Sequence, residues 1–250
     1  MPNYVYMVQL FRVEGSKHTI PPEGSSELND DKLNVFQKAL PCTLIYEFNF
    51  MEKVTWKPGT MLYPLPAVMV SCGAQAEEYN IITVAWTGII NTDPPMCYIS
   101  LRKSRHSHQL IKKNGDFVIN LTTRKLTFAT DWCGVKSGRD FDKFKEMKLH
   151  PAKADKVKAP LIAESPVNLE CVVKEIKELG SHDMFLADIV AVHGDKRYLN
   201  TETGVFDLAK ARPIAYSHGK YYVLGDFIGK FGFSVRRKKK AKANRPLKKR

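Results

Sequence analysis

The chain has few of the patterns that announce a function. Its five cysteines, Cys42, Cys72, Cys97, Cys133 and Cys171, are scattered with no CxxC pair. An odd, widely spaced set argues against a disulfide scaffold and against a structural zinc site. Of seven histidines only His106 and His108 lie close together, and that spacing suits neither one helical face nor a defined metal geometry, so no metal site is expected. GxGxxG, a phosphate loop ending in Gly-Lys-Ser/Thr, HExxH and GxSxG are all absent. That removes the commonest dinucleotide, nucleotide-hydrolysing, zinc-peptidase and serine-hydrolase readings. No run approaches the roughly 18 apolar residues of a spanning helix, so no membrane insertion is expected. The opening MPNYVYMVQLFRVEG has neither a basic leader nor a small-residue cleavage site, and the expected location is the cytoplasm.

What is present is a globular composition: 250 residues, 44% hydrophobic and 26% charged. That length buries a sizeable core in one domain with extensions. The net charge of +13 is mostly local, because Arg236 to Arg250 holds ten basic residues and no acidic one, leaving +3 for the rest. Residues 236–250 therefore read as a disordered basic tail. Residues 1–50 include TIPPEGSSELNDD, where Pro21, Pro22 and Gly24 interrupt regular structure. Met51 then opens a segment that reads like the start of a compact domain. Residues 1–50 are an N-terminal extension or, in preference, the product of a start assigned upstream of Met51.

Between 51 and 235 short strands dominate. PAVMVSC and NIITVAWTG are β-branched apolar runs, and CYISL and DFVINLT are two more. KSRHSHQLIKKNG joins the second pair and predicts a helix of two to three turns, with Ser104 as N-cap and Gly115 as terminator. Short helical turns are expected over 124–133 and 141–147. PVNLECVVKEI alternates as a half-buried strand, with MFLADIVAVHG as its antiparallel partner. PIAYS and YYVLGD make a last hairpin about His218-Gly219-Lys220. Helices are too few for repeated βαβ units, so a closed or nearly closed, mainly β barrel with a few peripheral helices is expected.

Two stretches could carry chemistry. In NIITVAWTG, Thr83 and Thr87 punctuate an apolar run around Trp86, which suits a wall for a flat aromatic ligand as well as an ordinary barrel strand. In SLRKSRHSHQLI, hydroxyl, guanidinium and helix-start amide donors gather over 100–108, the groups a phosphate requires.

These stretches, together with LPAVMVSCG, NGDFVINLTT, CGVKSGRDFDKF, LGSHDMFLADIVAVHGD and KYYVLGDFIGKFGFS, resemble the flavin reductase-like family, which includes flavoredoxin and the reductases that supply flavin to two-component oxygenases. The likeness covers most of 60–235. It implies an FMN-binding split barrel, a homodimer with flavin near the dimer interface, and NADH, NADPH or a protein redox partner as electron donor. Carried over by position, Thr83, Val84, Ala85 and Trp86 line the flavin. Ser100, Arg102, Ser104, Arg105, His106 and Ser107 approach its phosphate and ribityl chain, and Asn120, Asp142, Lys143 and Phe144 complete the site. Lys143 or His182 is the candidate for stabilising a reduced ring, and each also reads as an ordinary residue, Lys143 as a surface lysine and His182 as part of a β-turn. The family commonly has threonine in the phosphate-facing helix where this chain has Ser107 and His108. No nucleophile or general base is evident, and hydride transfer between stacked rings requires none. Other classes stay open: an FMN electron carrier without a nicotinamide site, a barrel that has lost the flavin, and a module whose tail makes weak, salt-sensitive contacts with nucleic acid.

Overall fold

The computed structural model describes residues 53–235. The readings for 1–50 and 236–250 lie outside the described residues. Backbone contacts divide the chain into units 1–59 and 60–250, and every helix and strand among the described residues belongs to the second.

The elements run β1 (Leu65–Pro66), β2 (Val68–Cys72), β3 (Asn80–Val84), β4 (Thr87–Thr92), β5 (Pro95–Leu101), α1 (His106–Asn114), β6 (Asp116–Leu121), α2 (Thr127–Val135) and α3 (Lys143–Glu146). After them come β7 (Pro151–Ala152), β8 (Leu161–Ile162), β9 (Val167–Glu178), β10 (Asp183–Gly194), β11 (Ile214–Ser217) and β12 (Lys220–Val223). Seven strands form one sheet in the order β3-β2-β6-β9-β10-β5-β4, every neighbouring pair antiparallel.

That order forces closure. Laid flat, seven strands would hold the edge strands about 29 Å apart at the usual spacing. Only Ala85 and Trp86 lie between β3 and β4, a link reaching about 10 Å at most. The sheet therefore curls until its edges almost meet, and β3 and β4 stay unpaired, which leaves the barrel split along that seam. The single strand expected over NIITVAWTG is thus two strands at opposite edges. Thr87 N–H bonds to the Ala85 carbonyl at 3.0 Å and Ser100 N–H to the Trp86 carbonyl at 2.9 Å, handing the chain to β5. The apolar pattern hides this break because Ala85-Trp86 contains no turn-forming residue.

Alternation within β2 explains why all its residues but Ser71 are apolar. Val68, Val70 and Cys72 face the barrel interior with Ile82, Ile99, Phe117 and Phe185. Met69 faces outward and packs with Ile81 against Leu126, Ala129 and Cys133 around α2 and Phe144 of α3. A strand covered on both sides has no polar face to display.

Helix α1 forms where expected and ends at Gly115, whose φ of 75° is the left-handed conformation glycine adopts freely. Its N-cap, however, is Arg105 rather than Ser104, and no side chain caps it. The β9/β10 pair is the expected antiparallel hairpin, bulged at Leu186/Ala187 and Ile189/Ala191. His218 and Gly219, at φ 48° and 74°, give the β11/β12 hairpin the two left-handed turn residues its twist favours. β1, β11 and β12 form a separate three-stranded sheet. No helix among the described residues is long and apolar enough to cross a membrane.

Candidate functional site

The seam opens onto two adjoining cavities of about 340 and 230 Å³, which share Ile82, Arg102, Arg105 and Gly134 as walls. Together they make one elongated cleft.

The larger end is built from flat surfaces. One wall is the Thr83–Trp86 backbone continued by Ser100 and Leu101; α2 supplies Asp131, Gly134 and Val135, and Tyr216 and Tyr221 stand at the β11/β12 sheet. The Trp86 indole is 40% exposed and lies parallel to the His182 ring, 10° apart in plane and 6.5 Å between centroids. Burial, then the Arg102 charge, holds His182 below the usual histidine range, so the ring is neutral near pH 7. Tyr221 donates to Asp131 Oδ1 at 3.2 Å, and burial followed by that carboxylate pushes the phenol up to about 12. Thr83 donates its hydroxyl to the Thr130 carbonyl, tying β3 to α2, while Val84 turns into the core. What β3 offers the cleft is mainly backbone and the Ala85-Trp86 link. A Cβ on Gly134 would come within 3.2 Å of Thr83 Cβ, so glycine is what lets α2 lie this close.

The smaller end is polar. The start of α1 opens into it, with Ser104, Arg105, His106 and Ser107 on one side and the Lys136–Arg139 turn on the other. Arg139 Nη1 donates to the Ser104 carbonyl at 3.2 Å, fastening the two turns together. Buried Ser107 accepts from Asn80 Nδ2 at 2.7 Å, while Asn80 Oδ1 is buried with no partner. Gly138 lies so close that any Cβ there would collide with the Asn80 amide. Lys143 is 3% exposed. Its ammonium donates to the Ile81 and Cys133 carbonyls, each at 2.7 Å, and burial draws it down to about 8. His106 is also held low, by burial and by the charges of Arg139 and Lys143.

The structure thus gathers Thr83, Val84, Ala85, Trp86, Ser100, Arg102, Ser104, Arg105, His106, Ser107, Lys143 and His182 around one cleft. Lys143 stands at the polar end and His182 at the larger one. Three expected residues lie elsewhere. Asn120 is fully buried in mid-sheet, donating to the Met69 carbonyl and Ser71 Oγ and accepting from Ile162 N–H and Asn168 Nδ2. Asp142 caps α3 by accepting from Lys145 N–H at 3.1 Å, a bond its side chain can make only by turning to its own helix. Phe144 packs against Tyr79 in the outer cluster. Sequence reasoning missed Asn80, Asp131, Gly134, Ser137, Gly138, Arg139, Tyr216 and Tyr221. The run GVKSGR, two glycines with a lysine, a serine and an arginine, was the available signal for the turn.

The fold is a mainly β split barrel whose larger cavity runs into a cationic, hydroxyl-rich one, and the family it matches makes it a flavin-related oxidoreductase. The model of the flavin reductase like domain matches residues 60–225, and the chain belongs to that family. It resembles the flavoredoxin of Desulfovibrio vulgaris (Miyazaki F) with a TM-score of 0.68 and 29% identity, over 74% of this chain and 100% of that one. Flavoredoxin from Methanosarcina acetivorans gives 0.66 and 28% over the same shares, 74% and 100%. An uncharacterised protein of Archaeoglobus fulgidus is 36% identical over 136 residues, 54% of this chain and 75% of that protein.

Proposed function

We propose that the cleft holds FMN and that the protein is a cytoplasmic, FMN-dependent oxidoreductase. In this reading it takes a hydride from NADH or NADPH, or electrons from a protein donor, and passes them to free flavin, another protein or a small acceptor. The carrying observation is the polarity of the cleft: donors concentrate at one end and flat walls at the other. A bound flavin supplies the redox chemistry. The chain supplies grip and environment.

The uncapped start of α1, Ser104 and the Arg102 and Arg105 guanidiniums would hold the phosphate, since helix-start amides and guanidiniums favour anions. Asn80 adds to the fit. Turned about its amide, it lets Ser107 donate to Oδ1 and presents its NH₂ to the cleft, which would satisfy the orphaned atom. Trp86 and the Ala85 backbone would flank the ring, and neutral His182 adds no fixed positive charge to that end beyond Arg102 and Arg105. Ile89 and Ile90, on edge strand β4 just past Trp86, are 64% and 45% exposed. An exposed apolar edge favours a partner, and a second copy covering it would make a homodimer at the cleft's lip.

The test is a visible absorption spectrum of the purified protein, before and after anaerobic NADH and then NADPH. Flavin bands that bleach with either nicotinamide support the full reading. Flavin bands that persist leave a protein donor, as in an electron carrier. Failure to quench FMN fluorescence or retain FMN at high excess overturns the proposal.

A further inference from the structure

A second cavity of about 890 Å³ shares no residue with the cleft. It lies at the opposite end of α2, where Arg124–Leu126, the turn after α3, and the Arg197–Tyr198 and Lys210–Arg212 segments converge. Its size is that of a small-ligand site.

Six basic side chains line the groove, Arg124, Lys125, Lys148, Arg197, Lys210 and Arg212, against two acids, Glu146 and Glu164. Arg197 is paired with Asp195 at 2.5 Å and Lys210 with Asp207 at 3.7 Å, while Glu164 accepts from the His150 N–H. Arg124, Lys125, Lys148 and Arg212 are exposed, and none is in an ion pair among the described residues. Arg124 and Arg212 stand on adjacent stretches of backbone: Arg124 N–H donates to the Arg212 carbonyl at 3.0 Å, beside a bridge between Thr123 and Pro213. Adjacent like charges cost energy unless an anion joins them.

A second, independent observation points the same way. Among the described residues only Lys148, Arg212 and His218 combine a side chain with positive φ, and the first two, at 52° and 56°, both line this groove. Each ends a short helix: Leu149 N–H bonds to the Phe144 carbonyl at 2.8 Å, and Arg212 N–H to the Ala209 carbonyl at 3.0 Å. Helix termination accounts for the backbone but not for the cations, since glycine or asparagine fills such positions at lower cost. Strain of this kind persists where a ligand clamp needs it. Phe128, 75% exposed, stands on the same rim.

We infer that this groove binds an oligophosphate, either free polyphosphate or the phosphate chain of a nucleoside di- or triphosphate. Arg124, Lys148 and Arg212 grip the phosphates, and in the nucleotide case the base lies on Phe128. Guanidinium and ammonium donors that outnumber the two lining carboxylates suit a ligand with several negative oxygens. The inference does not depend on the flavin.

Calorimetric titration of the full chain with tripolyphosphate and, separately, ATP, with and without saturating FMN, tests it. Saturable binding is expected in both states, weakening as salt rises. Lys148→Gly with Arg212→Gly relieves both backbone positions, so the melting temperature holds or rises while affinity falls about a hundredfold, about tenfold for each charge-assisted contact. Arg102→Ala leaves the binding unchanged. Tighter binding of ATP than of tripolyphosphate, lost in Phe128→Ala, identifies a nucleotide; equal binding insensitive to that change identifies free polyphosphate. Binding that survives the double glycine variant, that FMN abolishes, or that a polyglutamate peptide matches overturns the inference.

Discussion

Two buried asparagines on neighbouring parts of the barrel wall have opposite surroundings. Asn120 has all its polar atoms engaged: its NH₂ reaches the Met69 and Val118 carbonyls and Ser71, and its carbonyl takes two donors. Asn80 commits its NH₂ to Ser107 and leaves Oδ1 unpartnered against Gly138. A closed network fixes structure, because every atom is already satisfied within the protein. An open one has capacity left for something from outside.

The comparison predicts that the two regions fail differently. The largest effect belongs to the closed network. Asn120→Ala strands the Ile162 N–H and the Asn168 amide, and at roughly 1–3 kcal/mol per orphaned buried group the loss is about 3 kcal/mol or more. Urea or thermal unfolding measures it. FMN affinity of the folded fraction should be unchanged, and a parallel collapse in affinity would erase the distinction between the regions. Next comes the cleft. Arg102→Ala with Ser104→Ala removes exposed donors that no fold contact needs. FMN affinity, followed by fluorescence quenching, should fall ten- to a hundredfold with little change in melting temperature. Unchanged affinity would remove these residues from the phosphate site.

The barrel was legible from the sequence because strand alternation in β9 and β10, the His218-Gly219 turn and the Gly115 terminator are local signals. So were the two walls of the cleft, 83–86 and 100–107, where apolar run and donor cluster stand out. Three things had no local signature. The break between β3 and β4 falls in Ala85-Trp86, which carries no turn chemistry. Asn80 gains its open carbonyl only when the Lys136–Arg139 turn folds against β3 from more than fifty residues away. Asn120, Asp142 and Phe144 have the residue types of a binding site, but side-chain direction decides the matter. Register sends Asn120 into the sheet interior, helix geometry turns Asp142 to its own backbone, and Phe144 follows the apolar face of α3.

Lys143 belongs to both regions and gives the smallest predicted effect. Its two carbonyl contacts make it part of the fold, yet it lines the polar end of the cleft. Burial lowers it to about 8 from an ordinary 10.5. Between those values the unfolded chain binds the extra proton, so without flavin this residue makes stability rise with pH across that window, and its contribution is least favourable below about 8. Flavin binding has the opposite sign: a phosphate anion prefers the protonated ammonium, and FMN affinity should fall several-fold as pH rises through about 8. In Lys143→Met both slopes should flatten. Fluorescence titrations and urea melts between pH 7 and 10 measure them on the same samples. A flat affinity profile in the parent protein, with the stability slope intact, would assign Lys143 to the fold alone and move the boundary between the two regions to Asn80.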